Sequence, residues 1–499
     1  MVFIRLLLFS FLPGAILLSC NPRDNQTTRE TSSRPNIILI LADDQRFNTV
    51  HALGNPEIIT PNLDNLVLRG TTFTNAYNMG GWNGAICQAS RAMLISGRSL
   101  WRAHKMDSVF RAGGGIDDTW GKLMVGAGYD TYMTGKWHVE ARAEEVFQST
   151  RNVRPGMPHD DWNDPHFNHS DNMPVGYNRP RSPDDRSWSP TDTVFGGFWE
   201  GGKHWSEVLR DDAIEFLAAA GKSDSPFFMY LAFNAPHDPR QSPQEFQDLY
   251  SLDSIPLPDN WMETNPDQNR IGLGPSLRDE ALAPFPRTPY ATKVHLKEYY
   301  ASISHMDTQI GLILEALDKS GKRDNTYLIF TADHGLAIGS HGLMGKQNMY
   351  DHSIRAPFII VGPEIGENKR VDAGIYLQDA MATSLELAGI EKPSYVEFQS
   401  ILSLARGETT TGSYPAIYGA YINHQRMIRK DDWKLIVYPK ASKIMLFNIA
   451  VDPGETNDVS DDVAYQWKVK SLFDELMATQ HHLQDKLDLS DLYKQTIKR

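Results

Sequence analysis

The feature that most constrains this chain is the run 37–42, Ile-Ile-Leu-Ile-Leu-Ala, apolar at every position and ended by Asp43-Asp44. A strand with one wet face alternates apolar and polar residues, so an unbroken run marks a strand buried on both faces of a parallel sheet. Similar runs stand at 227–233, 326–331 and 357–361, and another strand is predicted over 130–134. Helical patterns fall between them, at 61–69, 118–127, 206–220 and 293–319. This alternation predicts an α/β fold built on a doubly wound, mixed or parallel sheet. Chemistry in such sheets collects at the carboxyl ends of the strands. Asp43-Asp44 closes the first strand and Asp333-His334 follows the strand at 326–331.

From about Gly407 the pattern changes. Short strands are predicted at 416–422, 426–429, 433–438 and 444–447, with a helix at 464–478. The chain therefore divides into a main domain, 34–406, and a smaller α+β subdomain, 407–499, on an antiparallel sheet. Two stretches, 140–205 and 238–289, are rich in Asp and Pro and break the alternation. They read as long irregular insertions, the usual place for substrate-selecting loops.

The N-terminus carries Arg5 and an apolar run, 6–18, of the length of a signal-peptide core. It ends in Leu17-Leu18-Ser19-Cys20, which resembles a lipobox. Residues 1–33 are then a lipoprotein signal peptide and tether, Cys20 carries the lipid, and the mature protein is periplasmic or cell-surface. If the lipobox is not used, the protein is secreted. The chain has two cysteines. With Cys20 lipidated, Cys87 has no disulfide partner, and a single remaining thiol in an exported protein points to a reactive or modified residue. The net charge of −13 carries no basic stripe and argues against nucleic acid as partner.

Cys87 opens Cys87-Gln88-Ala89-Ser90-Arg91, with a helix predicted from about Ala89 that aims its positive end at this position. The adjacent carboxylates Asp43 and Asp44 repel each other unless a cation sits between them, and Asp333-His334 offers further ligands from a second strand end. Gly135-Lys136-Trp137-His138 follows the strand at 130–134; Asn234-Ala235-Pro236-His237 follows the strand at 227–233; Gly345-Lys346 lies shortly beyond Gly335.

These six blocks, in this order, resemble those of the type I, formylglycine-dependent sulfatases of the alkaline phosphatase-like superfamily. The resemblance runs from about Arg34 into the C-terminal region, where 426–429, 432–436, 446–448 and 452–455 look like that family's C-terminal subdomain. It implies that a maturing enzyme converts Cys87 to formylglycine (3-oxoalanine), whose hydrate attacks sulfur and later releases sulfate by elimination. It implies one divalent cation held by Asp43, Asp44, Asp333, His334 and residue 87, with Ca2+ favoured by the oxygen-rich set and Mg2+ as the alternative. Arg91, Lys136 and Lys346 are expected to bind and neutralise charge, His138 to drive elimination, and His237 to contact sulfate or protonate the leaving alcohol. The lipobox with this architecture resembles exported sulfatases of polysaccharide-degrading bacteria, so the expected substrate is a sulfated carbohydrate. Arg240, His204 and His341, in loops near the blocks, are expected to contact its organic part. The competing readings are a phosphoester or phosphonate hydrolase of the same fold, and a lipoprotein that binds sulfated glycans without cleaving them.

Overall fold

The apolar run at 37–42 lies in β1 (Asn36–Ala42), the interior strand against which the others are built, and every residue of it is buried. The structure, a computed structural model, describes residues 1–2, 34–158, 176–274 and 277–498. The signal-peptide run and Cys20 lie outside the described residues. Residues 34–499 form one compact unit.

Nine strands make the main sheet: β1, β2 (Thr71–Tyr77), β4 (Asp130–Lys136), β5 (Ser149–Arg154), β6 (Phe227–Ala232), β7 (Thr326–Ala332), β8 (Arg355–Ala356), β9 (Phe358–Val361) and β10 (Lys369–Tyr376). β1 pairs in parallel with β6 on one side and β7 on the other, and β6 in turn with β4. β9 runs antiparallel to both β7 and β2, so the sheet is mixed. One set of helices, Trp205–Ala220, Pro289–Lys319 and Pro61–Arg69, packs together; another comprises Ile86–Ser96, Leu100–Arg111, Trp120–Gly126 and Asp379–Leu387. Burial of both sheet faces is what the continuous apolar strands require.

Register sets the site. Ala42 pairs with Ala332, so the residues that follow, Asp43 and Asp333, leave adjacent strands at the same edge. Leu41 pairs with Ala232 and Gly135 with Ala232, which brings the end of β4, and Lys136, to that edge as well.

The second sheet has five strands, β11 (Ile417–Tyr421), β12 (Gln425–Lys430), β13 (Trp433–Tyr438), β14 (Lys443–Asn448) and, beside β11, the short β3 (Gly80–Gly81). β11 to β14 form an antiparallel meander, covered by the helix Gln466–Leu483. The fifth strand comes from 340 residues earlier in register terms, Ala420 pairing with Gly80. The sheet predicted for 407–499 is therefore completed by the main domain, just before the helix that carries Cys87. Gly80 allows this contact: its φ is +92°, and a Cβ there would lie 2.0 Å from the Ala420 carbonyl oxygen.

The sequence reading also missed β2, β5 and the helix Leu100–Arg111. β5 is polar at every position but Val153 (Ser-Thr-Arg-Asn-Val-Arg) and lies at the sheet edge, where no apolar run is needed.

Gly80→Ala forces a side chain into backbone at a positive φ. It is expected to lower stability by roughly 3 kcal/mol, read as a lower urea midpoint; an unchanged midpoint would mean the β3–β11 contact does not hold the sheets together.

Candidate active site

Cys87 lies in the first turn of the helix Ile86–Ser96, three residues earlier than the sequence suggested for its start, and is 3% exposed. No side chain caps this helix; the Gln88 amide bonds back to the Ala85 carbonyl at 3.0 Å, and the end of the helix dipole faces the anion site. The Cys87 Sγ is 3.3 Å from His138 Nδ1 and 3.6 Å from Lys136 Nζ. Burial alone would raise the thiol's pKa, but Lys136, Lys346 and His138 outweigh it and hold the group well below the usual thiol range.

Three carboxylates face this helix start. Asp43 receives the Lys136 ammonium and lies 3.7 Å from Arg91 Nη2. Asp44, at φ +68°, accepts from Lys346 Nζ at 2.8 and 3.1 Å. Asp333 accepts from Arg91 Nε at 3.0 Å and from the Asp44 amide at 3.1 Å. Arg91 also donates to the Lys136 carbonyl at 2.7 Å, so one buried guanidinium ties together the ends of β1, β4 and β7. Burial pushes the Asp43 carboxyl well above its ordinary range, with Lys136 opposing and Asp333 and Asp44 adding. For Asp333, burial acts upward too, but His334 and Arg91 win and hold it low.

His334 donates from Nδ1 to the Gly335 carbonyl at 2.9 Å, since a carbonyl oxygen can only accept. In the neutral imidazole its Nε2 then points a lone pair at Asp44 Oδ1, 3.2 Å away, and Asp333 Oδ1, 3.6 Å away. A lone pair facing carboxylate oxygens repels them unless positive charge lies between. Accordingly, against the effect of burial, Asp333 and Asp44 raise the pKa of this imidazole. His334 Nε2 and Asp43 Oδ1 are buried without a hydrogen-bond partner. Ligand atoms of Asp43, Cys87, Asp333 and His334 all lie within 4.8 Å of one another. A divalent cation fits this donor set: it would satisfy both orphaned atoms and relieve the facing oxygens.

His237 donates from Nδ1 to the Asp238 carbonyl at 2.6 Å, which turns Nε2 toward Lys346 Nζ at 3.0 Å. Above these groups opens a cavity of about 420 Å3. Cys87, His138, His237 and Lys346 line it, and so do Arg278, Asp279 and Gln347. Sequence reading placed Arg278 and Asp279 in an insertion, 238–289, expected to select substrate, but one arginine among several there carried no mark of its own.

Three expected substrate contacts lie elsewhere. Arg240 is buried and donates to His295 Nδ1 at 2.8 Å, away from the walls of the Cys87 cavity. His204 caps the helix Trp205–Ala220, its Nδ1 accepting from the Ser206 amide at 3.1 Å. His341 stacks on Tyr350, ring centroids 3.9 Å apart, and lines a different cavity. Each polar side chain serves packing between segments, a use that looks the same in sequence as a substrate contact.

The architecture and the cation-lined cavity suit a hydrolase of anionic esters. The chain matches the model of the sulfatase family over residues 35–390, and that of the C-terminal region of N-sulphoglucosamine sulphohydrolase over 339–482. The arylsulfatase of Clostridium perfringens is 28% identical over 468 residues, 88% of this chain and 93% of its own. A structure solved with D-glucosamine-2-N,6-O-disulfate superposes with a TM-score of 0.69 at 23% identity, covering 91% of this chain and 99% of its own. The phosphonate monoester hydrolase of Agrobacterium radiobacter gives 0.70 at 20% identity, over 90% and 96%. This chain belongs to the sulfatase family, and it is a sulfuric ester hydrolase.

Arg91→Met leaves Asp43 and Asp333 buried without their guanidinium. In metal-free protein this is expected to cost about 3–5 kcal/mol, measured by urea unfolding in EDTA; a loss below about 1 kcal/mol would show that Arg91 does not neutralise the cluster.

Proposed function

We propose that this protein is an exported, lipid-anchored sulfatase that removes O-sulfate from a sulfated carbohydrate. It uses formylglycine made from Cys87 by a maturing enzyme, and one cation, Ca2+, held by Asp43, Asp44, Asp333, His334 and residue 87. The observation that carries this reading is the convergence of Cys87, Asp43, Asp333 and His334, from three separate segments, to within 4.8 Å. The anchor at Cys20 rests on the lipobox alone. The carbohydrate reading draws on the structural relative solved with a disulfated glucosamine.

Cys87 Sγ marks where the oxygens of the oxidised residue would sit. When formed, formylglycine supplies a hydrated aldehyde as nucleophile; when bound, the cation lends Lewis acidity to that oxygen and to the ester. The rest is done by the chain's own side chains. His138 Nδ1, in contact with position 87, takes and returns a proton there. Lys136 and Lys346, resting on Asp43 and Asp44, supply ammonium donors to the equatorial oxygens of sulfate as charge builds on them. Arg91 fixes the strand ends. His237, with Nδ1 held by the Asp238 carbonyl, presents Nε2 to the cavity, where as the imidazolium it protonates the leaving alcohol.

Three measurements test this. In protein purified from its native host, the peptide containing residue 87 is expected to weigh about 18 Da less than the cysteine form, from loss of sulfur and two hydrogens and gain of oxygen. Cys87→Ala is expected to abolish turnover while retaining substrate binding. A native, fully active enzyme with its thiol intact would end the proposal. Removal of metal with EDTA is expected to lower stability, and Ca2+ at about a hundredfold over its Kd to restore about 2–3 kcal/mol; a urea midpoint insensitive to both would remove the cation from the reading.

A further inference from the structure

The loop that leads to Lys346 is a tight reversal of the chain, and its own hydrogen bonds leave two donors over. The amides of Ala337, Ile338 and Gly339 donate to the carbonyls of Gly345, Met344 and Leu343, and the Leu343 amide donates to Ser340. Left over are the amides of Met344 and Gly345, both buried residues, and buried amides require acceptors. One side chain takes both. Glu280 Oε1 accepts from Gly345 at 2.9 Å, and Oε2 accepts from Met344 at 3.1 Å. A side-chain amide in its place would offer one oxygen and turn its NH2 group toward the second donor. The bare Cα of Gly345 permits the approach: a Cβ there would lie 3.1 Å from Glu280 Oε1 and 2.9 Å from Asp279 Cβ.

Glu280 is itself braced. Its Oε2 accepts from Arg287 Nη2 at 2.5 Å and from Gln268 Nε2 at 3.3 Å. Arg287 also donates from Nη1 to the Glu280 and Ala283 carbonyls, and from Nε to the Gly342 carbonyl at 3.2 Å. The two residues are 0% and 1% exposed, and neither lines the Cys87 cavity. Their partners are backbone: Glu280 holds two donors of the loop and Arg287 holds one of its acceptors. Just beyond this grip, Lys346 Nζ reaches Asp44 Oδ1 at 2.8 Å and His237 Nε2 at 3.0 Å. A lysine ammonium is a point charge on a flexible stem, so its placement depends on where its Cα is fixed.

We propose that Glu280, braced by Arg287, is a positioning residue of the catalytic site: by holding the backbone of residues 344 and 345 it sets Lys346 Nζ between Asp44 and the substrate's sulfate. The proposal rests on the sulfatase reading, in which Lys346 serves the sulfate oxygens. It gives the insertion 238–289 a second task, since the same short helix, Arg278–Leu282, places Arg278 and Asp279 in the cavity wall.

The test is a double-mutant cycle in matured, calcium-loaded full-length protein, with kcat/KM measured on a fluorogenic aryl sulfate. Lys346→Ala is expected to lower it by about 100–1000-fold, and Glu280→Gln by about 10–100-fold through displacement of the ammonium. A residue that acts through Lys346 has nothing further to remove once that side chain is gone. The double variant is therefore expected within about threefold of Lys346→Ala. Losses that multiply would show Glu280 to be general support for the fold and would overturn the proposal, as would wild-type turnover by Glu280→Gln. Should that variant fail to fold, Glu280→Asp runs the same cycle: it keeps the charge opposite Arg287 and draws the carboxylate back from the amides by about 1.5 Å. Matured wild type inactive on the aryl sulfate would instead overturn the sulfatase mechanism beneath it.

Discussion

Three carboxylates, Asp43, Asp44 and Asp333, are forced together at the ends of two adjacent strands, and the rest of the site answers that repulsion. Such a cluster in a dry interior is tolerable only when cations are built in beside it. Arg91, Lys136 and Lys346 supply three, from three separate segments, so each carboxylate has a cation beside it before any ligand enters. A divalent cation then adds positive charge where Lys136 and Lys346 already press on the carboxylates. The ammonium groups that hold these carboxylates are, in the proposed function, the same ones that receive sulfate.

Much of this was legible from pattern. The apolar runs at 37–42, 227–233 and 326–331 have no use except in a sheet covered on both faces, and their ends located Asp43, His237 and Asp333 at one edge. The blocks around Cys87, Lys136 and Lys346 came from resemblance to a family, and the structure brings them to the same cavity. Sequence could not resolve what depends on packing. β5 is polar because it lies at an edge. Arg240, His204 and His341 sit as close in sequence to the blocks as Arg278 does, yet only Arg278 reaches the cavity. The difference lies in which way an irregular insertion folds back, and no periodicity encodes that.

The boundary at 406/407 shows a further limit. The composition does change there, and the meander β11 to β14 begins soon after. But the sheet continues through Gly80–Gly81, so the C-terminal region completes a structure begun in the segment that leads to Cys87. Short strands of two glycines carry no hydrophobic signal, and pairing across such a separation leaves no local trace. Functionally the pairing matters because it anchors the approach to the helix at Ile86.

The depth of Cys87 has a consequence for timing. A thiol with 3% of its surface open, seated between a histidine and a lysine at the floor of a pocket, is beyond the reach of another protein's active centre. Any enzyme that is to oxidise it has to meet the polypeptide before these walls close. On the proposed maturation, the half-life of the unfolded precursor, and not the affinity of two folded partners, governs what fraction of molecules is converted.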